Sequence, residues 1–366
     1  MAMASAGYDR LAELKAFDDT KAGVKGLVDA GVTAVPRIFH HPPEPAAPPR
    51  PSSSRPDHHD VVTNSSIPVI DLASLGVTRA ELVAQVKAAA ETVGFFQVVN
   101  HGVPEAAMSD MLASVRRFNE APVDARRPFY TRDAARRVKY SSNYDLFWAP
   151  AASWRDTLFL DMSPTPPSPE EIPPACRDIV FEYTRQVQSL CSALLGLLSE
   201  AMGLHSGYLD RDAGCLDGLS VAAHYYPPCP EPHLTLGAVK HTDATFLTVL
   251  LQDGVGGLQA RVEDSWVDVP PVPGALIVNV GDFLQVMSND GFRSVEHRVV
   301  AASDGPRVSV ACFFRPGGPA ASTRVYGPIV VKDAAPRYRS FTAAEFIGSY
   351  RDKGFGGRPA QDRFRL

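Results

Sequence analysis

His241 and Asp243 sit two positions apart, and His297 follows far downstream. Beyond it come Arg307 and Ser309, again two apart, in the run Arg307-Val308-Ser309. Two imidazoles and one carboxylate on one side of a metal leave three coordination positions open. That donor set suits non-haem Fe(II), which has to hold a co-substrate and O2 together. A guanidinium and a nearby hydroxyl supply what a dicarboxylate co-substrate needs: a fixed cation with a fork of donors, and one more donor beside it. The chemistry these residues point to is oxygen activation at iron.

Spacing supports that chemistry. In an extended segment, residues i and i+2 face the same side, so His241 and Asp243 can reach one ion, and Arg307 and Ser309 share a face. His297 has to arrive from a distant strand. A surface salt bridge explains Arg307 poorly. It opens the apolar run VSVACFF, where a guanidinium needs an anionic partner.

The elements that must position these residues are β-strands. LSVAAHYY, TFLTVLLQ, GLQARV, SWVDV, ALIVNVG, RSVEHRVV and VSVACFF read as short strands. They are separated by turn segments such as PPCPEP, DGVGG, PVPG and SDGP, the pattern of a sandwich or double-sheet jelly roll. In such a core, inward-facing residues of both sheets meet in a central cavity. Upstream, residues 8–30 read as one amphipathic helix, and the proline-dense stretch from Pro36 to Pro68 as an extended linker. The pairs His40/His41 and His58/His59 there lack a rigid scaffold and are not read as ligands. IPVIDL is a strand, and Thr78 caps the next helix with Glu81 in capping-box spacing. GFFQVVNHG is a strand closed by an Asn-His-Gly turn, in which His101 is a hydrogen-bonding turn residue. Residues 105–120 and 175–202 are helices. The expected segments are an N-terminal helical piece over 1–35, a linker over 36–66, an α/β region over 67–175, a core helix and connection over 176–214, the jelly roll over 215–318, and a C-terminal piece over 319–366.

Bulk properties narrow the partners. The 366 residues carry 36 Lys plus Arg and 41 Asp plus Glu, a net charge of −5, which argues against nucleic acid. The first residues are charged and show no apolar signal core. The apolar stretch Leu190 to Leu204 contains Ser192, Ser199 and Glu200, is too short to cross a bilayer, and reads as a buried helix. Cys176, Cys191, Cys215, Cys229 and Cys312 are odd in number with no CxxC pair, as expected for a reduced, cytoplasmic protein. A monomer with a small-molecule substrate and no membrane partner is expected.

From about Ile67 onward the chain resembles the plant 2-oxoglutarate- and Fe(II)-dependent dioxygenases. The resemblance rests on IPVIDL, GFFQVVNHG, the WRDTL at Trp154, YYPPCPEP, the HTD at His241, LLQDGVGGLQ, VNVGD and EHRV. The N-terminal pieces FDDTKAGVKGLVDAGV and IFHHPPE resemble one subgroup. It contains the benzoxazinoid-glucoside dioxygenases and the homologues of 1-aminocyclopropane-1-carboxylate oxidase.

The resemblance implies a mainly β protein with flanking helices, built on a double-stranded β-helix (jelly-roll, cupin-like) core with a helical N-terminal region. It implies His241, Asp243 and His297 as iron ligands, and Arg307, Ser309 and Tyr226 on the far carboxylate of 2-oxoglutarate. His224 stands where the family has Asn, a donor near the iron-bound end. Asn143, Tyr144, Phe147, Phe246, Phe313 and Arg315 are the positions expected to line the substrate pocket. The implied reaction couples O2 and 2-oxoglutarate to oxidation of a plant specialised metabolite, indole-derived or benzoxazinoid-type, releasing succinate and CO2 with ascorbate as reductant. An ascorbate-dependent oxidase on the same scaffold, a non-catalytic small-molecule binder and a cupin-like metal protein of other chemistry are the rivals.

Overall fold

Two β-sheets stack across the centre of the chain. The computed structural model describes residues 8–42, 66–318, 321, 323–330, 334–353 and 360–366. The strands of the main sheets are β1 (Val69–Asp71), β2 (Phe95–Val99), β3 (Val138–Ser141), β4 (Asp156–Ser163), β5 (Gly218–Tyr226) and β6 (Leu236–His241). They continue as β7 (Leu247–Gln252), β8 (Leu258–Val262), β9 (Ser265–Asp268), β10 (Leu276–Val280), β11 (His297–Val300) and β12 (Arg307–Arg315). The larger sheet runs β1-β2-β10-β7-β12-β5-β4-β3, and the smaller runs β6-β11-β8-β9. The four central strands β10, β7, β12 and β5 face the smaller sheet and complete the jelly roll with it. Tyr226, Ile277 and Phe95 of one sheet pack there with Ala238, Leu258, Ala260 and Val299 of the other.

Period-2 alternation decides what each face does. On β12, Val308, Val310, Cys312 and Phe314 join the main core, while Arg307, Ser309, Ala311, Phe313 and Arg315 take the opposite face, toward the smaller sheet. The main core is closed by the helix Arg177–Ala201, which buries Val180, Val187, Leu190, Leu194 and Leu198 at helical spacing. Each such side chain contributes roughly 1.5–3 kcal/mol of burial, so the back of the larger sheet is firmly held. The helix Glu105–Glu120 and the Thr78–Glu81 capping box are present as read from the sequence.

The N-terminal layer differs from its expectation. The single helix over 8–30 is two helices, Arg10–Asp19 and Gly23–Asp29. Lys21 between them and Gly23 at the start of the second have positive φ. At Gly23 a Cβ would lie 2.4 Å from an oxygen of buried Asp156, so the close approach requires glycine. That carboxylate accepts the Val24 and Lys25 amides at 2.8 Å. Of the linker, residues 36–42 form a packed turn with Ile38 and Phe39 buried; 43–65, with His58 and His59, lie outside the described residues. His41 Nε2 donates to Ala152 O at 3.0 Å, and His40 Nε2 to Val35 O at 2.8 Å. Phe17, Phe39 and Trp154 stack edge to face, locking this layer onto the entry to β4. Among the described residues no helix is long and apolar enough to cross a membrane.

Candidate metal centre and co-substrate pocket

His241 ends β6 and pairs directly with His297, the first residue of β11. Asp243 follows two residues later in the turn. Cross-strand pairing thus brings together residues that the sequence holds far apart, and each offers a ligand atom within 4.8 Å of the others. Asp243 Oδ1 lies 3.7 Å from His241 Nε2 and 3.5 Å from His297 Nε2.

The surroundings fit a metal. His241 Nδ1 sits 2.7 Å from Val239 O, and His297 Nδ1 is 3.2 Å from Val295 O. A carbonyl beside Nδ1 fixes the proton there and leaves the Nε2 lone pair for an ion. Asp243 Oδ2 accepts from Thr248 Oγ1 at 2.6 Å and Asn279 Nδ2 at 2.9 Å, which turns Oδ1 toward the imidazoles. The turn itself is pinned: Asp282 N donates to Asp243 O, Thr242 Oγ1 to Asp282 Oδ2, and Tyr350 Oη to Thr242 O.

Protonation states agree. Burial, then the neighbouring His297, push His241 down to about 3, so it is neutral. Burial alone would oppose ionisation of Asp243, but His297, His241 and its two hydrogen-bond donors hold it below the usual carboxylate range. Neutral imidazole and ionised carboxylate are the forms a metal requires. His241, Asp243 and His297 would hold Fe(II), an ion suited to two imidazoles and a carboxylate with open positions.

Arg307 is buried on the adjoining face. Its guanidinium donates to Gly256 O at 2.6 Å, Ser309 Oγ at 3.0 Å and Gln252 Oε1 at 3.0 Å, and lies over the Tyr226 ring at 4.9 Å. All are neutral. Among the described residues no carboxylate comes within the 4.0 Å of an ion pair, so this buried cation is balanced only when an anion binds. Beside it, strand register sets Gln252, Ser309, His224 and Thr157 in one row across β7, β12, β5 and β4. His224 Nδ1 meets Thr157 Oγ1 at 3.0 Å. Burial, then the charges of Arg155 and Arg307, hold this imidazole neutral.

The residues expected around the substrate divide. Phe313 lies on the face of Arg307 and Ser309, opposite Thr248. Tyr144 and Phe147 are exposed at 57% and 43%, in the turn before β4. Asn143 is buried and its amide is spent on Ser153 and Ser142, which makes it a turn residue. Phe246 is a correction: it is fully buried against Phe283 and Tyr326 in the main core, on the far side of the sheet. Arg315 faces neither solvent alone nor an empty cavity. It pairs with Asp161 at 2.7 Å and Ser220 at 2.6 Å, and Lys139 shares the same carboxylate. Thr248, Asn279 and Asp282 were missed as functional residues. Their only signals were the runs TFLTVLLQ and VNVGD, in which they look like ordinary strand-end polar residues.

Residues 218–316 match the 2OG-Fe(II) oxygenase superfamily, and residues 67–178 match the non-haem dioxygenase in morphine synthesis N-terminal family. A 1-aminocyclopropane-1-carboxylate oxidase homolog 1 from Arabidopsis thaliana is 50% identical, over 96% of this chain and 95% of its own. A 1-aminocyclopropane-1-carboxylate oxidase homolog from Solanum lycopersicum is 44% identical over 98% of both. Among solved structures, JOX2 in complex with 2OG, Fe and JA superposes with a TM-score of 0.79 at 30% identity, over 94% of this chain and 97% of that one. A dioxygenase for auxin oxidation in rice gives 0.68 at 27% identity, over 82% of this chain and 100% of its own. The chain belongs to the 2OG-Fe(II) oxygenase family of plant dioxygenases. It is an enzyme of the 2-oxoglutarate- and Fe(II)-dependent class, and the homologues of 1-aminocyclopropane-1-carboxylate oxidase are its close relatives.

Proposed function

We propose that this enzyme hydroxylates a small plant specialised metabolite, with an indole-derived or benzoxazinoid-type compound as the favoured class. The observation that carries the reaction is a buried guanidinium with only neutral partners, Arg307, beside a His-Asp-His cluster. Bound iron would supply O2 activation, driven by oxidative decarboxylation of 2-oxoglutarate to succinate and CO2. The protein's part is placement. Arg307 and Ser309 hold the far carboxylate, Tyr226 flanks it, and His224 faces the same pocket from the next strand. Phe313, Tyr144 and Phe147 are the apolar groups left to meet substrate, with the Arg315–Asp161–Lys139 cluster at the rim. Ascorbate would keep the iron reduced. The enzyme acts as a monomer in the cytoplasm, without nucleic-acid or membrane partners.

The relatives' names favour one second reading, an oxidase that uses ascorbate in place of 2-oxoglutarate. Incubation with Fe(II), ascorbate, 2-oxoglutarate and a plant extract separates the two. Succinate formed in step with products heavier by one oxygen supports the dioxygenase. Oxidised product without succinate establishes the oxidase instead.

A further inference from the structure

The inner face of the larger sheet runs from the metal centre to a cluster of charges. Strand register sets Thr248, Phe313, Ser220 and Asp161 in one row across β7, β12, β5 and β4. Thr248 holds the metal ligand Asp243, so the row starts beside the metal centre. Neighbouring strands lie about 4.8 Å apart, which puts Ser220 about 10 Å from Thr248 with Phe313 between them. Between this row and that of Gln252, Ser309, His224 and Thr157 lie Leu250, Ala311, Ala222 and Phe159. Lys139 on β3 pairs with Phe159. On β4 the residues of this face, Thr157, Phe159 and Asp161, are half-buried, while Leu158 and Leu160 on the other face are fully buried. Solvent therefore reaches the inner face, and core packing does not fill it.

At the far end of the row the charges do not balance. Arg315 donates to Ser220 Oγ at 2.6 Å and to Asp161 Oδ1 at 2.7 Å. Lys139 Nζ donates to the other oxygen, Asp161 Oδ2, at 3.3 Å and lies 4.8 Å from the centroid of the Phe159 ring. Among the described residues neither cation meets another carboxylate within 4.0 Å, so two cations share one anion. The remaining bond of Arg315 goes to Pro316 O at 3.3 Å. Part of its fork of N–H donors and part of the Lys139 ammonium stay unused. All three charged side chains are half-buried, so salt and water screen the excess positive charge less than at an open surface.

We propose that the substrate carries a carboxylate, bound jointly by Arg315 and Lys139, and that its apolar body lies over Phe313 toward the metal centre. Asp161 is a positioning residue that holds the two cations at one spacing. A bicyclic ring with a short acidic side chain has the reach the row demands. The inference deepens the dioxygenase reading and rests on it.

A matched pair of probes tests it. Indole-3-propionate and its amide share a shape and differ in charge. Titration calorimetry on protein loaded with Mn(II) and 2-oxoglutarate gives both Kd values without turnover. The wild type should bind the acid about tenfold or more tighter than the amide, the worth of a hydrogen bond to a charged group. Arg315→Met and Lys139→Met should each reduce that preference and the double variant should remove it, while Arg315→Lys keeps part of it. Kd for 2-oxoglutarate, whose Arg307 stands at the opposite end of β12, reports that each variant is folded. Equal Kd for acid and amide in the wild type, no binding of either, or a preference that survives in the double variant overturns the proposal. Failure of the wild type to bind 2-oxoglutarate removes the dioxygenase reading instead, and the acid–amide comparison on protein with Mn(II) alone then decides the anion site separately.

Discussion

The two sheets divide the site. The smaller sheet and its turn carry His241, Asp243 and His297. The larger sheet carries Arg307, Ser309, Tyr226 and His224. Their backing differs too. The larger sheet is sealed by a helix and a broad core, while β9 at the edge of the smaller one is largely exposed. The metal ligands therefore borrow rigidity from the other side: Asn279 on β10 and Thr248 on β7 reach across to Asp243. The lesson is that a site shared between two sheets is only as exact as the hydrogen bonds that cross between them.

The largest expected effect comes from cutting the smaller sheet's share. His241→Ala, Asp243→Ala or His297→Ala should each abolish turnover, with iron content after Fe(II) loading falling in parallel. Full activity in any of the three breaks the division outright. Next is the larger sheet's share. Lys cannot reproduce the fork of Arg307, so Arg307→Lys should raise the KM for 2-oxoglutarate by an amount worth about 2–3 kcal/mol while iron content stays intact. An equal loss of iron would show that the sheets do not act separately.

A smaller effect sharpens the comparison. Thr248→Val and Asn279→Ala sit on the larger sheet but should act on the metal. Each should weaken Fe(II) affinity roughly tenfold or more, measured by competition with a chelator, with the far-carboxylate grip of Arg307 untouched. The least effect is expected at His224. His224→Ala should weaken 2-oxoglutarate by about 1–2 kcal/mol, and His224→Asn by less, because an amide is also a donor. Equal KM for wild type and both variants would make His224 a purely structural partner of Thr157.

Legibility followed the strength of local patterning. β5, β7 and β12 could be read because each is a strongly apolar run, and the helix Glu105–Glu120 because its apolar stripe is regular. β6 was not read as a strand, although it bears His241, because LGAVKH contains a glycine and ends on two polar residues. β3 and β4, VKYS and DTLFLDMS, escaped because polar residues interrupt the apolar ones. The break at residues 20–23 was hidden because its cause is Asp156, far along the chain. Phe246 shows how nearness in sequence misleads. It stands close to Asp243, but the strand turns its ring into the core. Arg315 found its counter-ion 154 residues away, a pairing no local pattern encodes.

The donor set is already written in the order of the residues. Residue types and i, i+2 spacing specify two imidazoles, a carboxylate, a guanidinium and a hydroxyl, and strand periodicity assigns each pair to one face. Which ring nitrogens face one another, which carbonyls hold their protons, and that Arg307 meets only neutral partners follow from the folded arrangement. Those outcomes depend on register between strands distant in the chain. A shift of one residue there would turn every one of these side chains to the opposite face.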